Sequence, residues 1–415
     1  MSVTAATAAI PPDSAASWRR LALSFLMATI GGVGLWSAVV VLPSIEAEFG
    51  LDRGAASLPY TATLIGFAAG GVLMGRLADR FGIALPLGIG AVMIGAGYVG
   101  AALATSYWQF LLAQAVLIGM LGSSAGFGPL VADVSHWFRR RRGIAVAICA
   151  SGNYAAGAAW PPVIQWAVED FGWRAAHAGI GVFCLVTMLP LAFLLRRRPS
   201  IEDAPMPPAG TPGGHRRSAI PPARLQALLA LAGIGCCVAM SMPQVHLVAY
   251  CVDLGFGPAV GAEMLSQMLG LGVVSRLASG VIADRIGGLR TLILGSALQC
   301  VALVFFLPFD GLVSLYLVSA LFGLSQGGIV PSYALIAREH FPAREAGRRV
   351  SIVLMATVLG MALGGWLSGE IHDLTGSYAA AFLNGIAWNL LNLGIALWLL
   401  LAGRGTAAPM RPAAA

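Results

Sequence analysis

Long apolar stretches, separated by short polar segments that contain arginine, run through the whole chain. Each stretch is about 20 residues long, which is the length a helix needs to cross the hydrocarbon layer of a bilayer. They lie near residues 21–43, 57–75, 83–104, 109–131, 143–167, 178–195, 225–250, 258–282, 291–308, 312–336, 350–369 and 379–402. The pattern predicts an all-α membrane protein with twelve transmembrane helices.

An internal repeat divides these stretches into two sets. GRLADRFG at Gly75–Gly82 recurs 205 residues later as GVIADRIG. GIAVAI from Gly143 and GWRAA from Gly172 recur at an offset of 204 as GRRVSI and GSYAA. We therefore predict two pseudo-symmetric six-helix halves, as in two-half transporters with parallel repeats. The predicted boundaries are an N-terminal tail at 1–20, an N-terminal half at 21–195, a linker loop at 196–223, a C-terminal half at 224–402 and a C-terminal tail at 403–415.

The arginines predict the orientation of the chain in the membrane. Hydrophobic residues make up 58% of the sequence and charged residues 10%, and the formal net charge is +7. Arginines concentrate in alternate loops, whereas Arg53 and Arg174 alone fall on the opposite, acid-rich side. The positive-inside rule then makes both termini and the linker cytoplasmic and explains the net charge without a nucleic-acid partner. We predict a protein integral to the cytoplasmic (inner) membrane.

The repeated loop segments resemble a known signature. GRLADRFG is similar to the G-x-L-a-D-r-x-G pattern of the major facilitator superfamily, and GVIADRIG is similar to its weaker second copy. Physically, Gly75 would allow a close helix approach, and Asp79 can accept hydrogen bonds from helix N-terminal amides and arginines. The resemblance implies the major facilitator fold, a central cavity and alternating access. The conformational-switch motif it implies comprises Gly75, Asp79, Arg80, Gly82, Asp284 and Arg285.

A narrower resemblance concerns the monocarboxylate transporter family, which also contains oxalate:formate antiporter relatives. HWFRRRRGIAVAICASGNYAAG at His136–Gly157 is similar to its W-F-x-x-R-R-G-x-A-x-G-x-A-x-S-G pattern. The eighth stretch carries its R-x-x-x-G-x-x-A-D pattern from Arg276 to Asp284, and the form D-x-G begins at Asp253. The resemblance implies that Arg276 binds the substrate carboxylate. It also makes Asp253 a candidate protonation site or gate, against the alternative of an ordinary loop carboxylate.

Arg276 also stands out on physical grounds. It is the only charge between Glu263 and Asp284. Asp284 is roughly 12 Å away along a helix, which places the arginine within the hydrocarbon layer. Burying a permanent charge there costs at least ~2.5 kcal/mol, so the side chain should face a cavity and meet an anion. The alternative is a structural arginine paired with a helix carbonyl or an acid. Its own helix offers no acid at i±3 or i±4, where the residues are Gly272, Val273, Ser279 and Gly280.

Two departures from the family patterns bear on the substrate. Gly272 stands where animal members carry an Asp, and the eleventh stretch, SIVLMATVLGMALGGWLSG, lacks the Lys of oxalate transporters. One fixed cation favours one carboxylate, because a dianion would leave a charge unpaired at low dielectric. We therefore expect a monocarboxylate in preference to a dicarboxylate.

Several uncharged or weakly basic polar residues also lie within the apolar stretches. His246, two turns before Asp253, is a candidate proton relay or carboxylate donor, or alternatively a histidine bonded to a neighbouring helix. The other candidates for substrate binding share a position within a stretch and a hydrogen-bonding side chain, and bonding between helices is their alternative use. They are Asn153, Tyr154, Gln326 and Tyr333.

These features predict a proton-coupled transporter of small monocarboxylates, similar to lactate or pyruvate, that works as a monomer by alternating access. No motif of a hydrolase, zinc peptidase or phosphate-binding loop is present, so we expect neither enzymatic activity, nor a cofactor, nor a metal. The expected partners are the acid, protons and membrane lipids. One alternative is a proton-linked drug exporter, for which Asp133 is the only acid candidate in the first half. Another is a non-transporting sensor, which would normally carry a soluble output domain.

Overall fold

The computed structural model describes residues 12–197, 220–341 and 343–404. Parts of three predicted segments lie outside these residues, namely the N-terminal tail up to residue 11, the linker from 198 to 219 and the C-terminal tail from 405 onwards. Every regular element among the described residues is helical. The bounds are Ala15–Gly31, Val33–Val40, Leu42–Phe49, Arg53–Phe81, Ala84–Ala102, Tyr107–Leu112, Ala113–Gly122, Ser123–Gly126, Gly128–His136, Arg142–Leu194, Pro222–Asp253, Pro258–Ile286, Gly288–Phe305, Leu312–Gln326, Ile329–His340, Ala343–Thr375 and Tyr378–Arg404.

Eleven helical segments of the described chain are long and apolar enough to cross a membrane. The longest, Gly143–Leu194, has 52 residues. At about 1.5 Å per residue it would measure roughly 78 Å, more than twice the thickness of a hydrocarbon core. It is broken at Gly172, whose φ of 78° and ψ of 158° are not helical. It therefore supplies two spans, and the described chain has the twelve spans that the sequence predicts.

We number these spans in chain order and use the numbers below. The first four spans are Ala15–Val40, Arg53–Phe81, Ala84–Ala102 and Tyr107–His136. Spans 5 and 6 are the parts of Gly143–Leu194 before and after Gly172. Span 7 is Pro222–Asp253, span 8 is Pro258–Ile286 and span 9 is Gly288–Phe305. Span 10 consists of Leu312–Gln326 and Ile329–His340, which are separated by a two-residue turn. Spans 11 and 12 are Ala343–Thr375 and Tyr378–Arg404.

The described residues form two compact units. The first contains residues 12–41 and 65–197, and the second contains residues 42–64 and those from 220 onwards. The repeat recurs in the backbone of both. Gly82 and Gly287 have φ values of 86° and 84°, and Gly172 and Gly376 have 78° and 66°. Glycine adopts this left-handed region without a steric penalty, so each unit makes the same turns at the same positions of the repeat.

Small residues bring the helices of the first unit together. A Cβ atom built at Gly32 would lie 2.6 Å from the Cβ of Ala156, and one built at Gly152 would lie 2.6 Å from that of Ala28. Spans 1 and 5 are therefore in backbone contact, which is the packing that small residues permit in membranes.

The second unit is built around the contact of spans 7 and 11. A Cβ atom at Gly360 would lie 2.5 Å from the carbonyl oxygen of Ile234, and one at Gly364 would lie 2.5 Å from that of Val238. Ser241 continues this line, because its hydroxyl donates to the carbonyl of Met361 at 2.7 Å. The start of span 2 belongs to the same unit, since its Thr61 hydroxyl donates to the carbonyl of Ala362 at 2.7 Å.

Candidate functional site

Arg276 is half-buried in span 8 and contacts the turn that interrupts span 10. Its Nε donates to the carbonyl oxygen of Gly327 at 3.3 Å, and the amide of Gly327 donates to Ser275 Oγ at 3.2 Å. Both backbone groups of Gly327 are therefore bonded to span 8. An interruption at membrane depth is tolerated when neighbouring helices satisfy its backbone in this way.

Glycine is required at the turn because the two backbones nearly touch. A Cβ atom at Gly327 would lie 2.5 Å from the amide nitrogen of Arg276 and would also overlap the carbonyl oxygen of Gly272. One at Gly328 would overlap the side chain of Ser279. The close approach of the two backbones thus fixes the position of Arg276 relative to the turn of span 10. The contact with Gly327 is the helix-carbonyl pairing that the sequence offered as the alternative to a ligand role.

Gln326 precedes this turn and pairs with Gln244 of span 7. The Nε2 of Gln244 donates to the Oε1 of Gln326 at 2.6 Å, and both residues are at most 1% exposed. Within the described part of the chain, Gln326 Nε2 and Gln244 Oε1 have no hydrogen-bond partner. An unsatisfied buried amide group is costly, so this pair suits a water molecule or a polar ligand atom.

Three other predicted binding residues are placed differently. Tyr333 is fully buried, and its hydroxyl donates to Asn392 Oδ1 at 2.6 Å. This is a bond between spans 10 and 12, the alternative use for such a residue. Asn153 and Tyr154 lie in the first unit, where the carbonyl of Asn153 accepts from Trp36 Nε1 at 3.2 Å.

His246 is fully buried, and its ring joins three helices. Its Nε2 donates to the carbonyl of Gly365 at 2.7 Å, because a carbonyl can only accept. Its Nδ1 lies 3.3 Å from the hydroxyl of Tyr378. The ring therefore ties span 7 to spans 11 and 12.

Asp253, at the end of span 7, is held by a buried arginine. Arg53 is 8% exposed, and its Nη2 donates to Asp253 Oδ1 at 2.9 Å. The second oxygen of Asp253 lies 3.5 Å from His372 Nε2. The guanidinium carbon of Arg53 also lies 5.8 Å from the ring centre of Tyr378, which bonds His246. The two predicted proton-coupling residues, Asp253 and His246, are therefore joined through Arg53 and Tyr378.

Two more acids complete this group. Asp373, at the end of span 11, accepts from the amides of Arg53 at 2.9 Å and Gly54 at 2.6 Å, and so caps the start of span 2. Glu46 Oε2 lies 3.2 Å from Arg53 Nε. We call this group the ion cluster; its members are Glu46, Arg53, Asp253, His372, Asp373 and Tyr378.

The ion cluster sets one guanidinium against three carboxylates. Burial raises the pKa of Glu46 above its ordinary value, Arg53 opposes this rise, and the charges of Asp253 and Asp373 add to it. Glu46 therefore holds a proton more readily than a free glutamate would. Sequence reasoning missed every member of the cluster except Asp253, namely Glu46, Arg53, His372, Asp373 and Tyr378. The available signal was the position of Arg53, an arginine on the acid-rich side that topology does not explain.

Asp133, the acid on which the drug-exporter alternative depends, is engaged in an ion pair of the first unit. Arg20 Nε donates to Asp133 Oδ2 at 2.8 Å, and Arg20 Nη2 donates to Oδ1 at 2.9 Å. Both oxygens accept from one guanidinium, and the two side chains are 6% and 11% exposed. A bidentate pair of this kind is a strong structural tie.

The residues of the conformational-switch motif lie at or just after the ends of spans 2 and 8. A Cβ atom at Gly75 would meet no heavy atom of the described residues within 4 Å, so the close helix approach expected at this glycine stays a prediction. Asp79 and Asp284 are exposed, and neither makes a hydrogen bond or ion pair within the described ranges. The glycines that end the motifs, Gly82 and Gly287, are required by their positive φ values. Of the arginines, Arg285 is exposed, and Arg80 lies 5.1 Å from the ring centre of Phe81.

Twelve apolar spans in two repeated sets, with ionisable groups held between the helices, are the construction of a secondary membrane transporter. The family model described as Major Facilitator Superfamily matches residues 24–312 and 264–414, and the chain belongs to this superfamily. It is thus an integral membrane transporter, as the loop segments indicated.

Curated relatives agree with the narrower resemblance. The chain is 28% identical to monocarboxylate transporter 13 of Bos taurus over 397 residues, which cover 94% of this chain and 90% of the relative. It is 27% identical to monocarboxylate transporter 11 of Mus musculus, with coverages of 90% and 85%. A third relative, the MFS-type transporter opdF of Penicillium oxalicum, is 27% identical and the match covers 78% and 75%.

Solved structures confirm the fold. A bacterial homologue of the human lysosomal transporter Spinster, solved inward-facing and unoccupied, aligns with a TM-score of 0.71 at 14% identity and covers 94% of this chain and 98% of its own. The peptide transporter POT aligns with a TM-score of 0.72 at 14% identity, with coverages of 93% and 95%. At such identity the likeness concerns the fold alone.

Proposed function

We propose that this transporter moves small monocarboxylates together with protons, and that Arg276 holds the carboxylate. The observation that carries the proposal is the permanent cation within apolar span 8, fixed against the turn of span 10 by the carbonyl of Gly327. The relatives named monocarboxylate transporters support the substrate class.

Guanidinium chemistry suits this role. Its planar fork can hold both oxygens of a carboxylate, and the pair is electrically neutral. Gln326, next to Gly327, offers an amide for a further oxygen of the acid, such as the hydroxyl of lactate. Binding that neutralises a buried charge favours whichever conformation holds the pair more tightly, and this difference drives alternating access.

The ion cluster is the proposed proton site. Asp253 accepts a charge-assisted hydrogen bond from Arg53, and protonation of Asp253 would weaken it. His246 is connected to the same cluster, because its Nδ1 contacts the hydroxyl of Tyr378. A proton taken up at Asp253 would thus release span 7 from the start of span 2, which links proton binding to a movement of helices.

The proposed setting is the cytoplasmic membrane, with both termini and the linker on the cytoplasmic side. The arginine asymmetry supports it, because basic loops remain inside. A single cysteine at position 210 should react with an impermeant maleimide only in inverted vesicles. The native cysteines are buried or half-buried and would be replaced first. If position 210 were labelled only from the outside, the linker would lie on the outer side and the proposed topology would be wrong.

Binding measurements test the role of Arg276. One charge-assisted hydrogen bond is worth about 1.5–3 kcal/mol, so Arg276→Ala should weaken acid binding by roughly 10- to 150-fold. Arg276→Lys should bind at an intermediate level, because ammonium keeps the charge and loses the fork. The measurement is stabilisation of the purified protein by lactate or pyruvate against heat. Arg290→Ala, which changes an exposed arginine at the start of span 9, is the control. If a folded Arg276→Ala protein bound the acid with wild-type affinity, Arg276 would not be the anion site.

A further inference from the structure

Two clefts of similar construction lie at the arginine-rich ends of the spans, one in each unit. The first, of about 340 Å³, lies between spans 1 and 6 and is lined by Arg19, Arg20, Leu23, Leu194 and Arg197 among others. The second, of about 430 Å³, lies between spans 7 and 12 and is lined by Arg224, Leu228, Leu390 and Trp398 among others.

The two clefts are counterparts under the internal repeat. Arg20 and Arg224 are 204 residues apart, and so are Leu194 and Trp398. This is the offset that relates Gly172 to Gly376. Each cleft therefore combines an arginine at the start of the first helix of its half with a large apolar residue near the end of the sixth. Recurrence in both units indicates a property of the fold and not a local packing fault.

The first cleft has a rigid wall and a basic mouth. The side chain of Arg20 is already bonded within the protein: it donates to Asp133 and, at 3.0 Å, to the carbonyl of Leu195. The guanidinium carbon of Arg20 also lies 4.4 Å from the ring centre of Trp137. Arg19 and Arg197 are exposed, and neither belongs to an ion pair of the described chain. Within the described residues, no acid therefore offsets these two cations at the cleft.

The second cleft has one cation and an aromatic partner. Arg224 is exposed, lies 5.9 Å from the ring centre of Trp398 and takes part in no ion pair within the described ranges. Trp398 is 44% exposed, and tryptophan is enriched at the level of lipid headgroups.

We propose that each cleft binds the phosphodiester headgroup of an anionic phospholipid. Guanidinium groups are well suited to phosphate oxygens, and the leucines beside them offer a surface for the acyl chains. Leu194 is 62% exposed beside the first cleft and Leu390 is 52% exposed beside the second, as expected of lipid-facing side chains. Apolar walls favour a lipid over a free phosphate ion. The first site binds more tightly because two arginines face the anion there and one faces it in the second.

Native mass spectrometry of the full chain in neutral detergent tests this assignment with phosphatidylglycerol, phosphatidylcholine and inorganic phosphate as probes. The wild type should retain two molecules of phosphatidylglycerol. Arg19→Gln/Arg197→Gln should weaken the tighter site by roughly 30-fold, and Arg224→Gln should weaken the other by about fivefold, at ~1 kcal/mol for each arginine. Arg76→Gln/Arg290→Gln removes two exposed arginines that line neither cleft and should change neither site.

Any one of four results would overturn the proposal. If phosphatidylcholine were retained as well as phosphatidylglycerol, the net negative charge of the lipid would not be what the clefts recognise. Binding of inorganic phosphate as tightly as phosphatidylglycerol would show a simple anion site without lipid. An equal loss in the control double variant, or wild-type affinity in both cleft variants, would show that binding follows the overall surface charge and not these clefts.

Discussion

A single methyl group at Gly327 should disrupt the contact between spans 8 and 10. Its Cβ would lie 2.5 Å from the amide nitrogen of Arg276, and backbone atoms cannot move aside cheaply. We expect Gly327→Ala to destabilise the protein by about 1–3 kcal/mol, the usual cost of overpacking. Thermal unfolding in detergent measures the loss. Gly280→Ala is the matched control in span 8, because its Cβ would meet no described atom within 4 Å. Equal melting temperatures for both variants would contradict the packing described for this turn.

The raised pKa of Glu46 predicts the direction in which the stability of the fold changes with pH. Its pKa is raised above the ordinary value of 4.5, chiefly by burial, so the folded protein binds this proton more readily than the unfolded chain. The stability it contributes is therefore fully present below pH ~4.5 and lost as the pH rises through the raised pKa. Glu46→Gln should melt at a higher temperature than the wild type at neutral pH, and the difference should vanish in acid. Glu48→Gln, at an exposed neighbour, is the control. A lower melting temperature for Glu46→Gln at neutral pH would mean that attraction to Arg53 outweighs burial.

The variant Asp253→Asn should separate proton coupling from substrate exchange. Asp253→Asn keeps an acceptor for Arg53 and cannot be protonated in the relevant range. We expect it to reduce uptake driven by a pH gradient more than it reduces exchange of labelled for unlabelled acid, since exchange needs no net proton movement. Both rates are measured in the same proteoliposomes. Equal loss of the two activities, or loss of neither, would exclude Asp253 as the coupling site.

At the scale of helices, the sequence predicted what depends on local pattern. The spans follow from apolar length, and the positive φ values of Gly82 and Gly287 fall at the ends of the repeated motif. Span 4 could not be predicted in detail, because it changes from an α-helix to a π-helix at Ala113–Gly122 and then to a 3₁₀ turn at Ser123–Gly126. Close neighbours in space are not visible in the local pattern; one of them is Ile94, whose side chain a Cβ at Gly122 would approach to 2.5 Å.

The ion cluster was beyond sequence reasoning for a related reason. Arg53 and Asp373 are 320 residues apart, and their contact requires the start of span 2 to lie along span 11. The apolar pattern predicts that both segments are helices and carries no information on which helices pair. Arg276 was accessible from sequence because an isolated charge in an apolar stretch is visible without a partner. Its anchor at Gly327 was not, since a carbonyl acceptor has no sequence signature.

For the whole molecule, the sequence halves and the packed units differ in one segment. Residues 42–64 precede the rest of span 2 in the chain but pack within the second unit. A proton at Asp253 and an acid at Arg276 would therefore act on one unit that also contains the start of span 2. The proposed proton site contacts this segment directly through Arg53, and the proposed acid site at Arg276 belongs to the same unit.

Uptake of labelled acids into proteoliposomes tests the central claim most directly. The panel would contain lactate, pyruvate, oxalate and an uncharged sugar, each with and without an inward proton gradient, for the wild type and Arg276→Ala. We predict that the wild type takes up the monocarboxylates, that the gradient accelerates this uptake, that oxalate and sugar are taken up little, and that the folded Arg276→Ala protein takes up none. Monocarboxylate uptake that survives in Arg276→Ala at the wild-type rate, or a wild type that transports only the uncharged solute, would contradict it.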